Sequence, residues 1–208
     1  MICDGVMMAV LEVAAPLPLE SLIYGPLPTL FWQTAAQDLA GHSAHVRVMV
    51  VNPEKSGKSI TEQARALTLL AAAVCNAVEA IGVLWCASDH LMSAGRFVQI
   101  TTTPKDQGQM LSAIWVRLFV AQTEAGLVVA THGLAAFTGT FELEFAPTKR
   151  LDLSTLATRA MQFSHFLITG VMTLKPGDVA GPENFAVTEG RSSFEDRLAL
   201  HLAMPARS

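Results

Sequence analysis

Apolar and polar residues alternate with period two through Thr140-Phe141-Glu142-Leu143-Glu144-Phe145, the pattern of a strand buried on one face. On that pattern Glu142 and Glu144 face solvent. Just upstream, the apolar run Leu127 to Ala130 ends in Thr131-His132-Gly133-Leu134, where a His-Gly pair marks a strand end and a turn. Thr123-Glu124-Ala125-Gly126 joins that run to a strand predicted over Ile114 to Gln122, which makes a hairpin. A histidine and two carboxylates therefore fall near neighbouring strands.

Helical periodicity is clearest after Ser59-Ile60-Thr61-Glu62, an S-x-x-E capping box. Ile60, Ala64, Leu67, Ala71, Val74 and Val78 recur at spacings of three and four and define one apolar face. A second long helix is predicted with Leu153, Leu156, Ala160, Phe163 and Leu167 on one face, capped by Asp152 or Ser154 and closed by Gly170. Phe31 to Leu39 reads as a short helix ended by Gly41. Further strands are expected at Val6 to Val13, at His45 to Val51 (buried on both faces from Val46 except at Arg47), at Gly82 to Cys86 and at Leu198 to Met204. Connectors are expected in the Pro-rich stretch to Pro28, at Ser88-Asp89-His90, over residues 101–112, at the Lys175-Pro176-Gly177-Asp178 turn, and on to Asp196. Helices and hairpins mix without strict alternation. That predicts a single α+β domain over 1–208, a mixed, largely antiparallel sheet with two long helices and one short helix mainly on one face. A sub-domain junction is allowed in the loop 101–112.

The run from Ala66 to Ala87 imitates a membrane span, interrupted by Thr68, Asn76 and Glu79. A carboxylate near its middle would cost roughly 2.5–3.5 kcal/mol on insertion scales. It has no basic flanks, and it divides into a helix followed by the Ile81-Gly82-Val83-Leu84-Trp85 strand. No membrane association is expected.

Composition narrows the picture further. Hydrophobic residues make up 51% and charged residues 15% of the 208, which excludes disorder and predicts that a second copy covers some apolar surface. Net charge is −4, with Lys149-Arg150 the only adjacent basic pair, so the clustered cations that nucleic acid requires are missing. Cys3, Cys75 and Cys86 have no metal-ligand spacing, and an odd number argues against a disulfide framework; Cys75 and Cys86 read as small core residues. Asp4 and Glu12 stand where a signal peptide would carry basic and then unbroken apolar residues, so a cytoplasmic protein is expected.

Candidate chemistry is sparse. Asn52 to Ser59, with Gly57-Lys58-Ser59 between strand and helix, has the context of a phosphate-binding loop, but Asn52 replaces the first glycine and Pro53 and Glu54 follow. A turn and a capped helix explain the same residues. His42 and His45 are three apart; a metal site would need His90, His132 and Glu142 to converge, against the plainer reading of separate histidines at loop ends. Glu142 and Glu144 have a spacing near that of glycosidase carboxylates, which any exposed strand produces. No Ser lies in a G-x-S-x-G elbow, no Cys is placed for activation, and Trp32, Trp85 and Trp115 read as core.

Several segments resemble a bacterial family of unknown function, the uncharacterised domain numbered 4261. They are the Pro-rich start and Trp-containing helix, Gly41-His42-Ser43-Ala44-His45-Val46, the Ile81–Trp85 strand, Trp115-Val116, Thr131-His132-Gly133-Leu134, Glu142-Leu143-Glu144 and Gly177-Asp178-Val179-Ala180-Gly181. The stretch after His90 lacks the prolines of the family. The resemblance implies a fold and a bacterial host and brings no activity, cofactor or catalytic residue. The second half is also faintly similar to suppressor-of-fused-like domains, which bind other proteins; that is analogy of fold. The expectation is a non-enzymatic, cofactor-free protein-binding or accessory module, acting as a homodimer or with a partner. The alternative is an enzyme or a small-molecule or metal binder with one pocket formed by Trp85, His90, His132, Glu142 and Asp178.

Overall fold

A computed structural model of the chain describes residues 1–18, 32–103 and 109–205. The fold is α+β, with sheets of three, six and two strands. It divides into two compact units, Met1–Gln107 and Gly108–Ser208. Among the described residues no helix is long and apolar enough to cross a membrane.

In the first unit, β1 (Ile2–Cys3), β2 (Val6–Val13) and β3 (His45–Val50) form an antiparallel sheet. Helix α2 (Ile60–Ala77) covers its inner face, where Val6, Met8 and Ala66 pack with Val50, Leu67 and Leu70. The predicted capping box is formed: Ser59 Oγ accepts from the Glu62 amide at 3.2 Å, and Glu62 Oε2 accepts from the Ser59 amide at 2.8 Å. The run from Ala66 to Ala87 is the rest of α2, a turn, and strand β4 (Gly82–Trp85). Strand β5 (His90–Ser93) pairs with β4 and leads into α3 (Ala94–Thr102). Helix α1 (Ala35–Leu39) packs Ala35 and Leu39 with Trp32 and Leu91.

The second unit starts with α4 (Gln109–Trp115) and builds one mixed sheet in the order β6-β7-β8-β11-β10-β9. The strands are β6 (Arg117–Thr123), β7 (Gly126–His132), β8 (Glu142–Thr148), β9 (Val179–Ala180), β10 (Phe185–Arg191) and β11 (Leu198–Ala203). Every pairing is antiparallel except β8 with β11. The β6–β7 hairpin needs Gly126: its φ is +133°, and a Cβ there would lie 2.3 Å from the Thr148 carbonyl. Helix α6 (Leu153–Ile168) is capped by Asp152, whose Oδ1 accepts from the Thr155 amide at 2.7 Å. It covers one sheet face, where Phe145 stacks on Phe163 at 6.0 Å and meets Phe185 edge-on at 5.2 Å.

Several expectations need correction. Ile114 and Trp115 end a helix, so the strand starts at Arg117. His90 opens a strand rather than lying in a loop. The stretch read as a loop before Asp196 contains β9 and β10. Arg47 and Met49 are exposed, so β3 is buried on one face only. Cys86 is exposed rather than core. The errors share a cause: short apolar runs do not reveal which element they join until their partners are known. The Pro-rich stretch beyond Pro18, Phe31, and residues 104–108 of the predicted connector lie outside the described residues.

Candidate functional site

The candidate pocket residues divide between the units. Trp85 and His90, both buried, are cross-strand partners in the β4–β5 pair of the first unit. His132, Glu142 and Asp178 belong to the second. There His132 ends β7 and Glu142 begins β8, while Asp178 precedes β9 at the far edge of the sheet. Four strand spacings separate β7 from β9, roughly 19 Å at the usual interval. Asp178 closes its own turn, accepting the Lys175 amide at 3.0 Å. The structure brings His132 and Glu142 to neighbouring strand ends and leaves Asp178 away from them. Among the described residues no group of three or more His, Cys, Asp or Glu side chains is placed to hold a metal ion.

Glu142 and Glu144 do not face solvent: each is 2% exposed. Glu142 Oε1 accepts the amides of Gly133 at 2.9 Å and Ala135 at 3.1 Å. Its Oε2 accepts the Leu134 amide at 3.1 Å and the Thr131 hydroxyl at 2.8 Å. Four donors thus converge on one carboxylate, gathering the backbone N–H groups that open the short helix α5 (Ala135–Thr138). Burial raises the Glu142 carboxyl above its usual range, against the opposing pull of the Ala135 amide, the Thr131 hydroxyl and the Gly133 and Leu134 amides.

Cross-strand register explains why Glu144 is also covered. Partners opposite one another share a face, as do residues two apart. Ala130 opposes Glu144, Phe119 opposes Ala130, Arg117 opposes His132, and His201 opposes Glu144. Arg117, Phe119, His132, Glu144 and His201 therefore line the face away from α6. Residues 192–197, between β10 and β11, lie over it. Glu144 Oε2 accepts the Ser193 amide at 2.8 Å and the Ser192 hydroxyl at 2.9 Å, and its Oε1 accepts the Ser193 hydroxyl at 2.6 Å. In the opposite direction Glu195 reaches back to His132, Oε1 to Nδ1 at 2.5 Å, with both side chains under a tenth exposed. Phe194 stacks on Phe119 at 5.7 Å, and the Arg117 guanidinium sits over the same ring at 5.0 Å.

His201 is held by the Arg191 carbonyl, which can only accept, so its Nε2 carries the proton at that 3.0 Å bond. Its Nδ1 lies 3.7 Å from Glu144 Oε1. Gly190 makes room for this ring, since a Cβ there would approach His201 Nε2 to 2.9 Å. Glu195, Ser192, Ser193 and His201 escaped the sequence reading. The available signal was the unbroken burial-type run from Leu127 to Thr131, which implies that both faces of the neighbouring strand are covered.

Elsewhere, the phosphate-loop context resolves into a 3₁₀ turn, Pro53–Lys55, and the capped α2. Lys58 Nζ contacts Glu62 at 3.2 Å. Burial raises the Cys75 thiol, the opposite of what a nucleophile needs. Compared with protein-family models, with curated proteins and with solved structures, the chain finds no match.

Proposed function

We propose that this chain is a non-enzymatic accessory module of the bacterial cytoplasm that works by binding protein, first of all a second copy of itself, through the outer face of its three-stranded sheet. One observation carries the reading. Ile2, Met7, Leu11 and Met49 are 71%, 48%, 52% and 38% exposed. Register puts them on one face: Ile2 opposes Met7, Met49 opposes Ala9, and Met7, Ala9 and Leu11 alternate along β2. An apolar surface of this kind on a folded domain marks an interaction site, and flexible Met side chains adapt to a partner. Arg47, opposite Leu11, supplies a charged border. The free state of all three cysteines agrees with a reducing compartment. The similarity to the uncharacterised domain and to suppressor-of-fused-like domains rests on its short motifs and adds no function.

The competing reading, an enzyme or ligand binder using His90, His132 and Glu142, has less support. Glu142 already accepts four hydrogen bonds, and His132 is committed to Glu195. Light scattering after size exclusion tests the proposal. The wild type should run as a dimer at micromolar concentration, and Leu11→Lys or Met49→Lys as a folded monomer with wild-type circular dichroism and a lower melting temperature, since the association no longer stabilises the fold. A wild type that is monomeric at high micromolar concentration, with no response to either substitution, would end the homodimer reading.

A further inference from the structure

The covering segment 192–197 is attached differently from everything around it. Its own backbone hydrogen bonds are internal: Ser192 N to the Arg197 carbonyl at 2.9 Å and Arg197 N to the Glu195 carbonyl at 2.8 Å. Among the described residues no backbone–backbone bond ties 193–196 to a strand of the sheet. Side chains hold it instead, in a reciprocal clasp. The sheet offers Glu144 to the donors of Ser192 and Ser193, and the segment offers Glu195 to His132 of the sheet. Phe194 on Phe119 fills the space between the two anchors. Arg197 Nε, 3.1 Å from Glu195 Oε2, closes the segment on itself, and an exposed ion pair joins Asp196 to Arg191 at the end of β10.

We propose that 192–197 is a strap that opens as a unit while the six-stranded sheet stays folded. Opening uncovers Arg117, Phe119, His132 and Glu144. The physical basis is the separation of forces. The sheet is held by its ladder and by the Phe145–Phe163–Phe185 core on the opposite face. Across the face of the sheet the strap is held by side-chain contacts centred on Glu144, Glu195 and Phe194. Segments with few backbone ties open at lower free energy than the global transition. The clasp keeps the strap shut most of the time, because each carboxylate that loses its partners must be rehydrated or left unpaired.

Native-state hydrogen exchange on the full chain tests this. The probe is the Ser193 amide, which bonds to Glu144, together with the Phe194 amide, which bonds to Ser192 Oγ at 3.1 Å. Both should exchange faster than the Val129 and Leu200 amides of the central strands, by a route insensitive to low urea. Glu144→Gln should speed Ser193 and Phe194 by about tenfold or more, the order expected when a hydrogen bond to a charged group is lost, without changing Val129 and Leu200. Phe194→Ala and Ser193→Ala offer the same comparison if Glu144→Gln does not fold. Cleavage by chymotrypsin after Phe194 should rise in parallel. Exchange of Ser193 and Phe194 at the rate of Val129 and Leu200, in wild type and variants alike, would overturn the proposal and make the segment a fixed part of the fold.

Discussion

The three-stranded sheet of the first unit leaves Ile2, Met7, Leu11 and Met49 open to solvent on its outer face, whereas the six-stranded sheet of the second buries Glu142, Glu144 and His132 on the side away from its helix. This reverses the usual rule for a two-faced sheet. The contrast teaches that burial follows from partners rather than from residue type. A carboxylate removed from water costs several kcal/mol unless donors meet it, and here seven hydrogen bonds are supplied, four to Glu142 and three to Glu144. Apolar side chains left in water forfeit a stabilisation of about 25 cal/mol per Å² of surface. The first unit leaves that stabilisation unused unless a second surface covers the face, which is why the proposed binding activity is placed there.

Four measurements sharpen this comparison. The largest effect is expected at Phe145, fully buried between Phe163 and Phe185. Phe145→Ala should destabilise the second unit by about 3–5 kcal/mol, read from the midpoint of urea unfolding. Next comes Glu142→Ala, which strips the acceptor from the Gly133, Leu134 and Ala135 amides and should cost about 2–3 kcal/mol. A wild-type midpoint in that variant would mean that water replaces the carboxylate, and that the buried polar side is wetter than its exposure implies. Ser59→Ala, in the first unit, removes the side-chain acceptor of the α2 capping box and should cost about 1 kcal/mol.

The smallest effect is a pH dependence with opposite signs at different sites. Glu62 and Asp152 are held below their usual range, the first mainly by the Ser59 amide and the second by the Thr155 amide. A depressed carboxyl contributes stability above its unfolded value and loses it as pH falls through the folded one. Thermal melts of Asp152→Asn should therefore lie below wild type near pH 7 and converge with it as pH falls below the ordinary carboxylate range. Glu142 runs the other way. Burial raises its folded value, so its contribution is full below the unfolded value and is lost as pH rises through the folded one. A Glu142→Gln difference that grew with rising pH would contradict that sign.

Much of the local structure was legible in the chain. Ser59 and Glu62 announced a helix start because a capping box closes within four residues. Asp152 did the same for the second long helix, and Thr123 to Gly126 gave the hairpin. The segment from Ala66 to Ala87 divides into helix and strand, and the strand falls within the predicted Ile81–Trp85 run. The site was legible only in part. His132 and Glu142 were singled out together and do lie on adjacent strand ends. Period-two alternation then sent Glu142 and Glu144 to solvent, because that pattern reports two different faces but not what lies over each.

What the sequence determined by itself is the α+β class, the two capped helices and the positions of most strands, all set by interactions a few residues long. The tertiary structure alone decided which sheet face is dry. Ser193, which buries Glu144, lies 49 residues away from it, and Glu195 reaches His132 across a still longer stretch of chain. Covering of that kind depends on how the chain returns, and no local periodicity encodes the return.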